Sequence, residues 1–556
     1  MQRDTTKKYY VLHSWVGALT AILLFVIAFT GAVSVFGRGE LKVWANPEIR
    51  DYQQHDFAAI EQLVKKHAEK VGPEYWDHIE VFLPGPHGNS QLAIIFENEI
   101  IEDGVHRHDV VWFDHHPTNL SLLKERQGDF RELLDTRRTD MADFIVGFHA
   151  DLHLGSPLGL ILTGLLGLTL FASVITGLFI HPKILKDLFV FRPWRSLRLL
   201  FTDTHKVLGV WGLLFHGVIG FTGAFLGLAT VVLIPVAALV SFEGDQERLV
   251  ETFLPEVEPV ITEVSTDMRF ADTLSQLEMN EPELIIGRFT LYGWGDEGAV
   301  MALSTLGSGK LSGETLEFSA VTGDFINRYT NFGRLEGVSK YVLDAMAPLH
   351  FGNFAGVWVK GLWFFLGLST ALVAATGMMI WIERRAFGAE GSLSLKSYQW
   401  ISRLTAGACG GIVAATSSLF SAQLILYVLG MHYGNLTSVI GLIFFGVFSV
   451  SLVWSVFRGN AYQVTKDLLI VSGLLLLFAL VFNGVATGDW IVNSISDSRW
   501  ITVGVDIALL VFGVGLIVAG LYLPAQRPQR ERMSQDKKIF LAKEKPKHAE
   551  SEVELV

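Results

Sequence analysis

Long apolar runs alternate with two extended polar segments along this chain. A helix needs about 20 apolar residues to cross a bilayer, and eight stretches meet that length. They lie at residues 11–36, 155–180, 207–240, 356–382, 404–430, 437–457, 467–487 and 501–523. The pattern predicts a polytopic α-helical membrane protein with eight transmembrane helices.

The two polar segments, 38–148 and 242–349, are nearly equal in length and each resembles a small α+β module. In the first, FAAIEQLVKKHAEKV (57–71) has helical spacing and precedes runs with strand-like alternation. The second has the same order, because a helical segment at residues 268–278 precedes strand-like runs. The predicted division is 1–37 for helix 1, 38–148 for the first module, 149–241 for helices 2 and 3 with a basic loop, 242–349 for the second module, 350–385 for helix 4, 386–524 for helices 5–8 and 525–556 for a tail.

Charge distribution sets the expected orientation. Lys and Arg precede span 1, fill the loops after spans 2, 4 and 6, and recur in the tail. The positive-inside rule therefore places both termini in the cytoplasm and both large segments outside it. The net charge is −12, and no concentrated basic face indicates a nucleic-acid partner. A single cysteine, Cys409, excludes disulfides and cysteine-ligated clusters within the chain.

The first 385 residues contain an internal duplication. His13 precedes Thr30–Gly31 by 17 and 18 residues, and His205 precedes Thr222–Gly223 by the same spacing. Spans 2 and 4 also match, because LHLGSPLG (152–159) corresponds to LHFGNFAG (349–356). These two spans end in further Thr–Gly pairs, at 176–177 and 376–377.

The duplicated histidines are predicted to lie at two depths. His13 and His205 fall near the cytoplasmic face, whereas His153 and His350 fall near the outer face. At about 1.5 Å per residue, the Thr–Gly pair of span 1 lies about 27 Å from His13, which is the level of His153 and His350. The Thr–Gly pairs of spans 2 and 4 correspondingly reach the level of His13 and His205. Facing imidazoles can bind the iron of a b-type haem axially, and glycine leaves space for a flat macrocycle. The pattern therefore predicts two haem b groups held by these four histidines.

The ligand set has open alternatives. His149 lies one turn before His153 and can replace or supplement it as a ligand, and its counterpart in the second copy is Met346. His216 lies deeper in span 3, where the first copy has Leu24. Cations expected near the haem propionates are Lys206, Arg198 and Arg195 inside, and Arg137, Arg138 and Lys340 outside.

Two further groups of residues suggest chemistry. His106, His108, His115 and His116 cluster with two aspartates in the first module, which is compatible with a metal site or with a solvated turn. Asp506 is the acid that lies well inside a span of the extension, and intramembrane acids are frequently functional.

The order of these motifs resembles the PepSY-associated transmembrane helix family. The similarity covers residues 1–385 and rests on LHSWVG, HADLHLG, DTHKVLGVW and LHFG; the strand-turn stretches WFDHHPTNLSLL and FSAVTGDFINRY resemble the closing strands of PepSY modules. Histidines 13, 205, 153 and 350 match the family's histidine motifs, and His149 matches the first histidine of HxxxLH. Spans 5–8 are an extension that the resemblance does not explain.

The resemblance implies a function. It is that of a di-haem b oxidoreductase in a bacterial inner membrane, which passes electrons to a ferric siderophore or other ferric complex in the periplasm for iron uptake. The electron donor would be a quinol or a cytoplasmic reductase or flavin, since no nucleotide-binding loop precedes a helix in a polar segment. Alternative interpretations are a transporter of haem, siderophore or ions, and a PepSY-based sensor or protease-regulating scaffold.

Overall fold

The structure is a computed structural model. It describes residues 3–51, 54–85, 88–102, 105–181, 189–192, 197–253, 257, 259–281, 284, 286–305, 311–387 and 393–523. The predicted tail 525–556 and most of the basic loop after span 2 lie outside these residues.

The first copy of the duplication begins with a membrane helix, continues through a helix and four strands, and returns to a second membrane helix. Its elements are α1 (Arg3–Ser34), α2 (Glu40–Ala45), α3 (Phe57–Val71), β1 (His78–Phe82), β2 (Leu92–Glu102), β3 (Val105–His115), β4 (Leu122–Asp129), α4 (Phe130–Leu134), α5 (Met141–Asp151) and α6 (Leu158–Ile180).

The second copy follows the same plan, with its first membrane helix in several pieces. Its elements are α7 (Leu197–Trp211), α8 (Leu213–Leu228), α9 (Ile234–Ser241), α10 (Gln246–Phe253), α11 (Ala271–Asn280), β5 (Ile286–Tyr292), β6 (Val300–Thr305), β7 (Glu314–Ser319), β8 (Phe325–Thr330), α12 (Gly337–Phe351) and α13 (Gly356–Phe387). A π-helical turn, Ala229–Leu233, joins α8 to α9.

The extension adds four membrane helices and one short helix. These are α14 (Leu395–Val428), α15 (Thr437–Phe457), α16 (Ala461–Thr487), α17 (Ile491–Ser496) and α18 (Trp500–Tyr522). Among the described residues, eight helical segments are long and apolar enough to cross a membrane, and they coincide with the eight predicted spans. The prediction of a polytopic helical membrane protein with an α+β portion is confirmed.

The two α+β modules share one sheet. All eight strands are antiparallel, in the order β4-β3-β2-β1-β5-β6-β7-β8. The modules meet where β1 pairs with β5, with Ile79 opposite Leu291 and Val81 opposite Phe289. Separate modules were expected from the sequence. Strand β1 would be the edge of the first module and β5 the edge of the second. In the structure these two strands form backbone hydrogen bonds with each other, so neither is left unpaired.

Helices α3 and α11 cover one face of this sheet. Asp56 caps α3 by accepting a hydrogen bond from the Ala59 N–H at 2.9 Å, and the helix ends at Gly72, whose φ is +106°. Glu61 of α3 accepts a bond from the Ala271 N–H at the start of α11, at 2.8 Å. Apolar residues of both helices and of all but the outermost strands form one continuous core. The sheet is therefore a single rigid layer, and below we call its side of the helical bundle the sheet side.

Candidate functional site

Four histidines form two facing pairs inside the bundle. His13 of α1 faces His205 of α7, with ring centroids 6.2 Å apart. His149 of α5 faces His350 of α12, with ring centroids 6.0 Å apart and an angle of 24° between the rings. Each pair takes one histidine from each copy of the duplication. The second pair lies on the sheet side, and the first lies at the opposite side.

Three of these imidazoles donate a hydrogen bond from Nδ1 to a backbone carbonyl. His13 Nδ1 lies 3.1 Å from the carbonyl oxygen of residue 173, His205 Nδ1 lies 2.9 Å from that of residue 373, and His149 Nδ1 lies 3.0 Å from that of residue 27. A carbonyl oxygen only accepts, so Nδ1 carries the hydrogen in each case. Each acceptor lies three residues before the threonine of a Thr–Gly pair.

The fourth imidazole reaches the same state by a different acceptor. His350 Nδ1 lies 3.0 Å from Thr222 Oγ1. The Thr222 hydroxyl donates its own hydrogen to the Val218 carbonyl at 2.8 Å, so it accepts from His350. All four histidines are thus Nδ1–H tautomers with an unprotonated Nε2, and no hydrogen bond in the described part of the chain uses that atom. Neutral imidazole with a fixed Nδ1–H is the form that binds a metal through Nε2.

The glycines of the four Thr–Gly pairs make room for these rings. A Cβ built on Gly31 would lie 2.6 Å from Cε1 of His149, whereas one on Gly177 would lie 3.7 Å from the imidazole that it faces. The corresponding distances are 3.1 Å at Gly223 and 3.2 Å at Gly377. Each Thr–Gly pair therefore receives one imidazole: its threonine or a nearby carbonyl accepts the Nδ1 hydrogen, and its glycine leaves space for the ring.

The structure does not bring His153 to His350. Its Nε2 lies 2.9 Å from the carbonyl oxygen of Phe144, and its ring packs on the Phe144 ring with centroids 4.4 Å apart. His149, which the sequence gave as the alternative ligand, is the histidine whose ring lies opposite that of His350.

Backbone conformation explains the exchange. Helix α5 ends at Asp151, and the next two residues, Leu152 and His153, adopt left-handed φ values of +57° and +54°. His153 consequently leaves the helical face on which His149 lies one turn earlier. In the second copy α12 continues to Phe351, so His350 remains on its helix. The two LHxG motifs match in sequence but differ in where the helix stops.

The other two possible ligands, His216 and Met346, are both buried within the protein. His216 is buried, with Nδ1 2.9 Å from Thr370 Oγ1 and Nε2 3.3 Å from the Leu208 carbonyl at the break between α7 and α8. Both of its nitrogens are therefore engaged. Met346 is buried in α12, 7% exposed.

The histidine cluster of the first module is dispersed. His115 Nε2 lies 2.9 Å from Nε2 of His67, a partner that the sequence did not suggest; His108 contacts Glu97, and His116 accepts hydrogen bonds in its own turn. The side chain of His106 lies outside the described part. No group of three or more metal-binding side chains gathers among the described residues. Burial, followed by the charge of His115, lowers the pKa of His67 to about 4.

Several cations expected near a cofactor have other partners. Arg138 contacts Asn46 at 2.6 Å and Glu48 at 3.3 Å. On the opposite side, Lys206 lies 3.9 Å from Asp203, which Arg192 also contacts. Arg195 lies outside the described residues, and Arg137, Arg198 and Lys340 have no ion pair that the structure describes.

The extension is joined to the first copy by a buried polar network. Arg50, which follows α2, donates to Asn483 at 2.9 Å and to Asp489 at 2.5 Å. The Trp44 indole donates to Asp506 at 2.8 Å, and Asn483 also donates to Asp506. Asp506 is fully buried. The acid that the sequence singled out therefore fixes α18 and α16 to the segment that follows α1.

The same extension packs behind the helix that carries His149. Residues of α5 share one apolar core with α14, α15, α16 and α18. Gln423 of α14 accepts from the Met141 N–H at 3.0 Å and donates to the Ala45 carbonyl at 3.2 Å. Helix α12, which carries His350, has no such cover, and Val338 and Tyr341 on it are exposed. The extension thus supports one half of the sheet-side pair.

The two pairs fit the axial ligands of haem. Imidazoles that bind one iron from opposite sides, each at about 2 Å, have ring centroids about 6 Å apart. The observed separations of 6.2 and 6.0 Å agree with that spacing. The fixed Nδ1 hydrogens and the glycines beside the rings also suit a flat cofactor. That these residues bind haem stays a prediction.

Fold and site together define a polytopic helical membrane protein with a duplicated core and a shared extramembrane sheet. The family described as "PepSY-associated TM region" matches residues 10–384. The chain belongs to this family, as its motifs suggested. It is also similar to a Pseudomonas aeruginosa protein described as "Uncharacterized protein PA4219", with 26% identity over 397 residues that cover 67% of this chain and 93% of the relative.

Proposed function

We propose that this protein is a di-haem b oxidoreductase of a bacterial inner membrane, which carries electrons across the bilayer to reduce a ferric siderophore or another ferric complex outside. The observation that supports this proposal most strongly is the pair of facing imidazole couples. Each has Nδ1 hydrogen-bonded and Nε2 free, at 6.2 and 6.0 Å between ring centroids. Transport or scaffolding alone gives no reason for two such couples.

The chain's own residues hold and insulate the cofactors. His13 and His205 would hold one haem, and His149 and His350 the other, while carbonyl and threonine oxygens keep each ring in place. One-electron transfer is the chemistry that haem supplies when it is bound. All four histidines are half-buried between the helices.

The two pairs divide the roles between the two sides. Residues 13 and 30–31 of α1 are about 27 Å apart at 1.5 Å per residue, so one helix contributes to both layers. His13 and His205, which we call the far-side pair, would hold the haem that accepts electrons from a quinol or a cytoplasmic reductase or flavin. The sheet-side pair would serve a ferric complex beneath or beside the sheet. With both termini cytoplasmic, the sheet would lie in the periplasm.

Haem counting in purified variants tests this proposal. We expect two b haems per wild-type chain by pyridine haemochrome, and one after His149→Ala, because that change removes a sheet-side ligand. His153→Ala is the matched control, since it removes an imidazole four residues away that faces Phe144. Wild-type protein that stays colourless after reconstitution with haemin would contradict the proposal. Loss of a haem in His153→Ala but not in His149→Ala would contradict the ligand assignment.

A further inference from the structure

Arg38 lies on the sheet side and contacts the end of the helix that carries His350. It follows the end of α1 in the turn that leads to α2. Its guanidinium carbon is 5.1 Å from the centroid of the Phe351 ring. The Phe351 ring centroid lies 5.7 Å from that of His350, so this aromatic ring lies between the cation and one of the two imidazoles of the pair.

Two neighbouring cations are paired, whereas Arg38 is not. Lys42 contacts Asp143 at 3.0 Å, and Lys360 contacts Glu40 at 2.9 Å. Within the described part of the chain, Arg38 has neither a hydrogen bond nor a carboxylate within 4 Å. Arginine guanidinium carries five N–H donors in a fixed fork that matches a carboxylate.

The surroundings of Arg38 favour an anion. Its side chain is exposed, yet neighbouring protein atoms are close enough for desolvation to lower its pKa, more than the charge of Asp143 raises it. A cation that is partly shielded from water and has no bound carboxylate gains stability when an anion reaches it. The cation is also specific to the first copy, because the residue at the same position of the second copy is Thr230.

We propose that Arg38 is the anion-binding residue of the sheet-side site and that its ligand is a carboxylate. The inference rests on the proposed function. Two sources have this chemistry: a propionate of the haem held by His149 and His350, or a carboxylate of the ferric complex that receives the electron. In either case the guanidinium would donate two hydrogen bonds to the two carboxylate oxygens.

Full-length apo-protein titrated with haemin tests the propionate source. We expect two haemins to bind the wild type, and Arg38→Gln to weaken one of them about tenfold, the loss typical of a charge-assisted bond. The equilibrium constant for reduction of the haem at that site should also fall about tenfold, which lowers its reduction potential by about 59 mV for one electron. Haemin dimethyl ester, which has no carboxylates, should bind wild type and Arg38→Gln equally. Arg38→Lys should restore part of the affinity for haemin.

Ferric citrate, a carboxylate chelate, tests the other source. If its Kd rises about tenfold in haem-loaded Arg38→Gln while haemin affinity is unchanged, the ligand is the chelate and the anion site stands. Lys42→Gln is the matched control, because it removes a neighbouring cation that is already paired with Asp143.

Two results separate the failure of this inference from that of the proposed function. Wild-type protein that takes up no haemin contradicts the proposed function. If the wild type binds two haemins, the Arg38 assignment is overturned either by Arg38→Gln matching it in all three measurements or by Lys42→Gln producing the same losses.

Discussion

Gly31→Ala tests the sheet-side pair through a residue that carries no ligand. The added Cβ would lie 2.6 Å from Cε1 and 3.0 Å from Nδ1 of His149, well inside the roughly 3.5–4.0 Å of an ordinary carbon contact. The imidazole would have to move by about 1 Å, against its bond to the carbonyl of residue 27. Overpacking of this kind costs about 1–3 kcal/mol. We therefore expect the affinity of one haem site to fall about 5- to 150-fold.

Gly177→Ala is the matched control for this change. It introduces the same methyl group into an equivalent Thr–Gly pair, but 3.7 Å from the ring, which is an ordinary contact. Both variants gain the same helix propensity, about 1 kcal/mol. Haemin titration of the apo-proteins, followed at the Soret band, measures both sites. Equal affinities in wild type and Gly31→Ala, or equal losses in the two alanine variants, would refute the reasoning.

Three further predictions concern other parts of the molecule. His216→Leu should keep both haems, because both of its nitrogens are bonded within the protein, while lowering the melting temperature; loss of a haem would show that it is a ligand. Arg50→Met should destabilise the fold by about 3–5 kcal/mol by leaving Asp489 buried with one cation fewer, measured by thermal unfolding in detergent; Arg50→Met combined with Asp489→Leu should recover part of that loss. Since the pKa of His67 is lowered to about 4, the unfolded chain binds a proton first, and stability should decrease as the pH falls from 6.5 to 4; His67→Leu with the same pH profile would contradict this.

The eight membrane helices were predictable from the sequence because their signals are local. Each span is a continuous apolar run, and the duplicated spacing between histidine and Thr–Gly fixes which residues share a depth on a regular helix. His13 and His205 lie inside such helices, and the structure accordingly places them opposite each other, with their ring centroids 6.2 Å apart.

The sheet-side pair was less predictable because its helices end irregularly. The sequence cannot state that α5 stops at Asp151 while α12 continues to Phe351. This difference turns His153 away and leaves His149 opposite His350. The duplicated LHxG motif was therefore a misleading guide to pairing.

Contacts between distant segments were not predictable from the sequence. The pairing of β1 with β5, the approach of His67 to His115 and the bond from Trp44 to Asp506 each join residues far apart in the chain. They depend on how whole elements pack, which no local pattern encodes. Asp506 was singled out by its polarity alone, and the structure supplies its partners.

Transmembrane electron transfer in sealed proteoliposomes tests the central claim most directly. Vesicles hold ferric citrate with an impermeant Fe(II) chelator inside, and dithionite is added outside. Haem-loaded wild-type protein should generate the Fe(II) complex inside, whereas His13→Ala, which interrupts the far-side pair, should reduce the rate to that of protein-free vesicles. A wild-type rate no greater than that of protein-free vesicles, or a His13→Ala rate equal to the wild type, would contradict the account.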